Sequence, residues 1–210
     1  MSLQRGGWWV LLAGAMLAFW ALLAGPGALL GVDLGKWGTA LLIALAWVSM
    51  LAVSHMPVGE AERSVSPGEW KAWVGTTFML VATGYFLAKA PVFADGPVWH
   101  NHGARAVGRN LVLLLVAWSV LTSVLAARWK GRVQEDERDR EIEKQAAGWG
   151  RGALTFCLVG LAVLLAFSPA ERLAWATHFM IANLLVFALM WGWLCEYAAT
   201  AVLYWKDRRA

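Results

Sequence analysis

Charge is the property that this sequence has least of. Charged residues make up only 15% of the 210 residues and hydrophobic residues 60%, whereas a typical soluble domain is about 25% charged and about 45–50% apolar. The composition therefore excludes an ordinary soluble protein. The formal net charge is +4, but the basic residues are scattered or interleaved with acids, and nucleic-acid binding requires a clustered basic face. We therefore expect no nucleic-acid partner.

Cysteines and catalytic motifs are also scarce. The two cysteines, Cys157 and Cys195, fall inside apolar runs, which predicts packing residues rather than a disulfide framework. The sequence contains no glycine-rich P-loop, no H-E-x-x-H zinc motif and no G-x-S-x-G nucleophile motif. These absences argue against an ATPase, a metalloprotease and a lipase, and we favour a protein that is not an enzyme.

What the chain does contain is six long apolar runs, and a membrane helix needs about 20 mainly apolar residues. The predicted fold class is all-α, a polytopic membrane protein whose single domain is a bundle of six transmembrane helices arranged as three hairpins. The predicted spans are about 8–30, 37–55, 72–89, 109–128, 150–169 and 173–203. Pro26 is expected to kink or end the first helix. The third span is short and rich in Gly and Thr, which predicts a position inside the bundle.

Aromatic and basic residues indicate how the spans are oriented. Many of the 15 tryptophans lie at or beside the ends of the apolar runs, where indole rings favour the headgroup level. If both termini are cytoplasmic, thirteen of the 18 Lys and Arg residues lie on the cytoplasmic side and five on the other. Because positive charge is retained on the cytoplasmic side, we expect both termini in the cytoplasm and a location in the bacterial inner (plasma) membrane.

A charged segment, residues 130–147, separates the fourth and fifth spans. Oppositely charged residues three or four positions apart in it, such as Asp136 and Arg140, stabilise a helix, so we expect a solvated helical extension on the cytoplasmic side. The run from Asp136 to Ile142 is similar to a D-E-R-D/E-x-x-I motif of uncharacterised small multi-pass prokaryotic membrane proteins. The resemblance implies a prokaryotic membrane protein and nothing about chemistry. We predict that the charged segment contributes a structural cytoplasmic motif, formed by Asp136, Glu137, Arg138, Asp139 and Arg140.

Histidines on the opposite side suggest a second kind of site. His100 and His102 are two residues apart, and His178 lies near the outer end of the sixth span under the same topology. Imidazole binds zinc, copper and haem iron, so His100, His102 and His178 are candidate metal or haem ligands. The alternative is that they are ordinary surface histidines, because H-x-H alone specifies no geometry.

The sixth span carries the main candidate for a substrate or ion pathway. His178 and Glu196 are five whole turns apart and face the same way on an ideal helix, and Asn183 lies between them. A carboxylate inside a membrane is a functional candidate. The competing interpretation places Glu196 at the headgroup level, where the helix emerges into the cytoplasm.

These patterns leave several functions open. The leading hypothesis is a small transporter, a channel-like protein or an accessory subunit, with Glu196, His178 and Asn183 lining a pathway. The alternatives are a metal- or haem-binding membrane enzyme that uses the outer histidines, and a structural or regulatory membrane partner. The expected partners are the lipid bilayer and either another membrane protein or a second copy of the chain, and the sequence specifies no cofactor.

Overall fold

The computed structural model describes residues 2–25, 28–29, 32–54, 67–93, 101–129 and 137–208, and within them six long helices form a bundle. The helices are α1 (Ser2–Ala24), α2 (Leu34–Ser54), α3 (Pro67–Lys89), α4 (His102–Trp129), α5 (Glu137–Phe167) and α6 (His178–Asp207). Single 3-10 turns follow α3 at Ala90–Phe93 and precede α6 at Ala170–Leu173. Two-residue strands β1 (Ala28–Leu29) and β2 (Val32–Asp33) pair antiparallel between α1 and α2.

Five of these helices are long and apolar enough to cross a membrane by length and composition, namely α2 to α6. In α1 the apolar part, Trp9–Ala24, is shorter. Such helices need a hydrocarbon solvent, because exposed apolar residues cover much of their surface and a soluble protein rarely exposes large continuous apolar patches. The chain is therefore an integral membrane protein built as an α-helical bundle.

Several helix ends differ from the predicted spans. Helix α1 ends at Ala24 rather than near 30. Pro26 follows two residues later, and a proline disfavours helical backbone at the residue before it. Helix α4 begins at His102 rather than near 109, since its first turns carry polar residues that the hydropathy pattern omits. Helix α5 begins at Glu137, so the described part of the charged segment forms one continuous helix with the fifth span.

Side chains cap three of the helix starts, and this fixes where the apolar helices begin. The Asp33 carboxylate accepts hydrogen bonds from the backbone N–H groups of Gly35 and Lys36 at 3.0 and 3.3 Å. Asn101 caps α4 and Thr177 caps α6 in the same manner. A capping side chain satisfies backbone donors that the first helical turn leaves unpaired.

The packing order within the bundle departs from three equal hairpins. Helix α1 packs on α2 and α5 packs on α6, as the hairpin arrangement predicts, but α3 packs more extensively on α6 than on α4. The expected interior position of α3 is confirmed, because 44% of its spanning window is buried, the largest share of any described span. Only 6% of the corresponding window of α5 is buried, so α5 lies at the edge of the bundle.

Candidate functional site

Two glycines of α3 let that helix approach α6 closely. A Cβ atom placed on Gly75 would lie 2.7 Å from the ring of Tyr197, and one placed on Gly68 would lie 2.5 Å from the hydroxyl of Tyr204. The two glycines are seven residues apart, as are the two tyrosines, so each ring fits a gap on the facing helix. Small residues at an interface permit this kind of backbone approach in membranes.

A second close approach joins α5 to α6. Gly150 and Gly192 face each other, since a Cβ on either one would lie 3.0–3.2 Å from the backbone oxygen of the other. A Cβ on Gly150 would also lie 3.0 Å from Oε2 of Glu196. The glycine crossing therefore brings the Glu196 carboxylate against the wall formed by α5.

Residues of α3, α5 and α6 beside these contacts line an open cavity of about 420 Å³. Its walls combine small residues with charged ones, which leaves room for a bound molecule and supplies groups to hold it. We call this cavity the charged pocket. Its lining residues are Gly68, Lys71, Ala72, Arg140, Glu143, Lys144, Ala147, Glu196, Tyr197 and Thr200. A volume of this size lies in the usual range for small-molecule sites, about 300–1,000 Å³.

The charges of the pocket come from all three helices. Lys71 lies on α3, Glu196 on α6, and Arg140, Glu143 and Lys144 lie on the first turns of α5. Lys71, Glu143, Lys144 and Glu196 form no ion pair within 4 Å with any residue in the described ranges. The α5 wall therefore carries both signs of charge, while α3 contributes Lys71 and α6 contributes Glu196.

The charged segment ties the rim of the pocket to the end of α6. Arg138 forms an ion pair with Asp207, and the hydroxyl of Tyr204 donates a hydrogen bond to Asp139 at 3.0 Å. Arg140 lines the pocket and Glu137 is exposed at the start of α5, whereas Asp136 lies outside the described residues. Arg138 thus has a partner on a neighbouring helix.

A buried carboxylate lies beside this rim. Glu69 is only 3% exposed, accepts a hydrogen bond from Nε1 of Trp73 at 3.4 Å, and has Nη1 of Arg208 at 3.5 Å from its Oε1. The contact joins the first turn of α3 to the residue that follows α6. Sequence reasoning missed Glu69, because it precedes the apolar core of its span and resembles an ordinary surface residue.

Aromatic side chains pack beside Tyr197, one of the residues that line the pocket. Tyr197 accepts a hydrogen bond from Nε1 of Trp118 at 3.0 Å, and Trp118 stacks on Phe78 with centroids 4.8 Å apart. A second cluster lies farther along α3 and α6 and consists of Phe86, Phe93, Phe179, Phe187 and Trp191. The residues of this second cluster are not among those that line the pocket.

The other residues proposed from the sequence lie apart from the pocket. His178 is exposed at the first turn of α6, about 27 Å along an ideal helix from Glu196. Asn183 is half-buried and donates a hydrogen bond to the Phe179 backbone oxygen of its own helix at 2.8 Å. Of the three residues proposed for a pathway, only Glu196 lines the charged pocket.

Two of the histidines proposed as metal ligands, His102 and His178, also lie outside the lining of the pocket. His102 and His178 are exposed at the starts of α4 and α6, and His100 lies outside the described residues. Within the described ranges, no three His, Cys, Asp or Glu side chains lie together in a way that could hold a metal ion. Cys157 and Cys195 are free thiols and are half-buried.

Comparison with known proteins gives no family assignment. No protein-family model matches the chain, and no curated protein or solved structure matches it. The function is therefore argued from the pocket alone.

Proposed function

We propose that the protein is a small multi-pass transporter of the bacterial inner membrane that binds a charged solute in the charged pocket. The observation that supports this most is the pocket itself, a cavity of about 420 Å³ whose five charged residues come from three helices. Ionisable residues gathered from several membrane helices around one cavity are typical of substrate or ion pathways.

The position of the pocket suggests the side from which it is entered. Its charged walls belong to the first turns of α3 and α5 and to the last third of α6. With both termini in the cytoplasm, these helix ends face the cytoplasm, and the distribution of Lys and Arg supports that orientation. We infer that solute enters the charged pocket from the cytoplasmic side.

The aromatic contacts supply the closed side that a transporter requires. Movement of solute to the other face would have to separate Tyr197 from Trp118, the pair that ends the pocket. Alternating access commonly involves one group of helices rocking against another around a site near the repeat or bundle interface. The edge position of α5, which packs on α6, suits it to such movement.

The proposal is tested by binding and flux with a matched pair of variants. Purified protein in proteoliposomes is assayed for uptake of radiolabelled amino acids, inorganic phosphate and polyamines, with thermal stabilisation in detergent as the binding readout. Glu196→Gln should abolish uptake and stabilisation by whichever probe is active. Glu171→Gln, a substitution of an exposed carboxylate at the opposite end of α5 and α6, should leave both unchanged. Equal flux in wild type and Glu196→Gln would contradict the role given to this pocket.

A further inference from the structure

The charged pocket contains both signs of charge, and their placement restricts what it can hold. Three basic side chains, Lys71, Arg140 and Lys144, share the walls with two acidic ones, Glu143 and Glu196. Helix α5 carries both signs of charge, whereas α3 contributes Lys71 and α6 contributes Glu196. Lys71 and Glu196, on neighbouring helices, are placed to contact opposite ends of one ligand.

We propose that the charged pocket binds a compact zwitterion, a molecule that carries a primary ammonium group and a phosphate or carboxylate group. This inference rests on the proposed function, since it names the class of solute for the same site. The anionic group lies toward Lys71, Lys144 and Arg140, where lysine and arginine donate charge-assisted hydrogen bonds. The ammonium group lies toward Glu196, with Glu143 on the neighbouring wall.

Ligands with a single charge fit these walls less well. A simple anion would be attracted by the three basic groups but would bring a further negative charge beside Glu196, which forms no ion pair within the described ranges. A simple cation would bind the carboxylates and be repelled by Lys71 and Lys144. A zwitterion places a charge of favourable sign beside both Lys71 and Glu196, which are half-buried, in one binding event.

The remaining lining favours a primary ammonium over a quaternary one. Recognition of quaternary ammonium uses a cage of aromatic faces, whereas Tyr197 is the one aromatic side chain among the residues that line the pocket. Carboxylates accept hydrogen bonds from a primary ammonium, which has three donors. The small residues Gly68, Ala72 and Ala147 keep the space between the charged walls open.

Two sources could supply this chemistry, a soluble metabolite or the headgroup of an ethanolamine phospholipid. Both present an ammonium group a few bonds from an anion.

The full-length protein is therefore reconstituted in nanodiscs of phosphatidylcholine and phosphatidylglycerol, and calorimetry measures its binding of phosphoethanolamine and glycine. A parallel set of nanodiscs contains phosphatidylethanolamine. Weaker binding of the soluble ligands in that second set shows that the lipid headgroup competes for the pocket and identifies the lipid as the natural source.

The comparison ligands are ethanolamine, which keeps only the cation, and inorganic phosphate and acetate, which keep only the anion. We expect phosphoethanolamine or glycine to bind at least about tenfold more tightly than the better of its halves, because each additional charged hydrogen bond contributes about that factor or more. The same recognition chemistry is supported if phosphatidylethanolamine competes with these ligands while ethanolamine, phosphate and acetate still bind weakly.

Variants then assign the two ends of the ligand. Glu196→Gln should weaken zwitterion binding about tenfold or more while leaving phosphate binding unchanged or stronger, and Lys71→Gln should weaken both. Glu171→Gln is the matched control and should bind as wild type. If Glu196→Gln does not fold, Glu143→Gln on the exposed start of α5 tests the other carboxylate of the pocket, with a smaller loss expected.

The failures of the two proposals are distinguishable. If inorganic phosphate or ethanolamine alone binds as tightly as the zwitterions, and pocket variants remove that binding, the zwitterion assignment is overturned while the solute-binding function stands. If no probe binds and no probe is transported, the proposed function fails and the present inference fails with it.

Discussion

The contact between Gly75 and Tyr197 allows a sharp test of how α3 and α6 are packed. Replacing Gly75 with Ala adds one methyl group, whose carbon would lie 2.7, 2.8 and 3.0 Å from three carbons of the Tyr197 ring. Such distances are too short for carbon atoms in contact, which are normally about 3.5–4.0 Å apart. The ring must therefore shift, or the two helices must separate by a fraction of an ångström.

The expected cost follows from what holds the ring in place. Tyr197 is fixed by its hydrogen bond to Trp118 and by the edge-on contact of the two rings, whose centroids are 5.4 Å apart. Overpacking of this kind costs about 1–3 kcal/mol. Alanine also favours the helix over glycine by about 0.5–1 kcal/mol. A control substitution that gains the helix propensity of alanine without overpacking isolates the packing cost.

Gly152 provides that control, because a Cβ on it would meet nothing within 4 Å and it too lies inside a helix. We expect Gly75→Ala to be less stable than Gly152→Ala by about 1–3 kcal/mol, which corresponds to a difference in melting temperature of roughly 2–12 °C for a chain of this size. Thermal unfolding in detergent, followed by circular dichroism, measures the difference. Equal melting temperatures for the two variants would refute the proposed packing of α3 against α6.

Three further predictions concern the barrier, the rim and the orientation of the protein. Trp118→Phe retains an aromatic ring beside Phe78 but removes the hydrogen bond to Tyr197. The free energy of unfolding, measured in the same assay, should therefore fall by about 0.5–1.5 kcal/mol. An unchanged free energy would contradict the hydrogen bond. Arg138→Gln breaks an exposed ion pair with Asp207, so the free energy of unfolding should change by less than about 1 kcal/mol. Hydrogen exchange of the backbone at the start of α5 should become faster. Unchanged exchange would show that the ion pair does not stabilise the start of α5. A fluorescent protein fused to the C-terminus should fluoresce in a bacterial host and alkaline phosphatase fused there should be inactive, and the opposite pattern would overturn the proposed orientation.

Hydropathy was sufficient to predict the helices because each helix satisfies its backbone hydrogen bonds within its own segment. In hydrocarbon each backbone N–H and C=O must be satisfied within the segment, so an apolar run of sufficient length becomes a helix. The same reasoning placed Glu196 as the carboxylate of greatest interest, since long apolar sequence flanks it on both sides. It also assigned α3 to the interior from its small and hydroxyl-bearing residues.

The lateral contacts could not be predicted in the same way, because each depends on which helix faces which. Asn183 was proposed to line a pathway together with Glu196, and its amide donates a hydrogen bond to the backbone of its own helix. Arg138 forms an ion pair with Asp207 at the end of α6, a contact that spacing along α5 does not indicate. A polar side chain in a long helix has both local and distant partners available, and spacing along one helix does not choose between them.

A signal for the pocket nevertheless exists in the pairing of two spacings. Gly68 and Gly75 are seven residues apart, and Tyr197 and Tyr204 are seven residues apart, which is the repeat at which two crossing helices meet again on the same face. Each glycine accepts one of the tyrosine rings, so the two contacts fix the register of α3 against α6. Once that register is fixed, Lys71 lies between the two contacts on one helix and Thr200 between them on the other, and both line the charged pocket. The pocket is thus a consequence of two matched glycine and tyrosine pairs, and it would be lost by a shift of either helix by one turn.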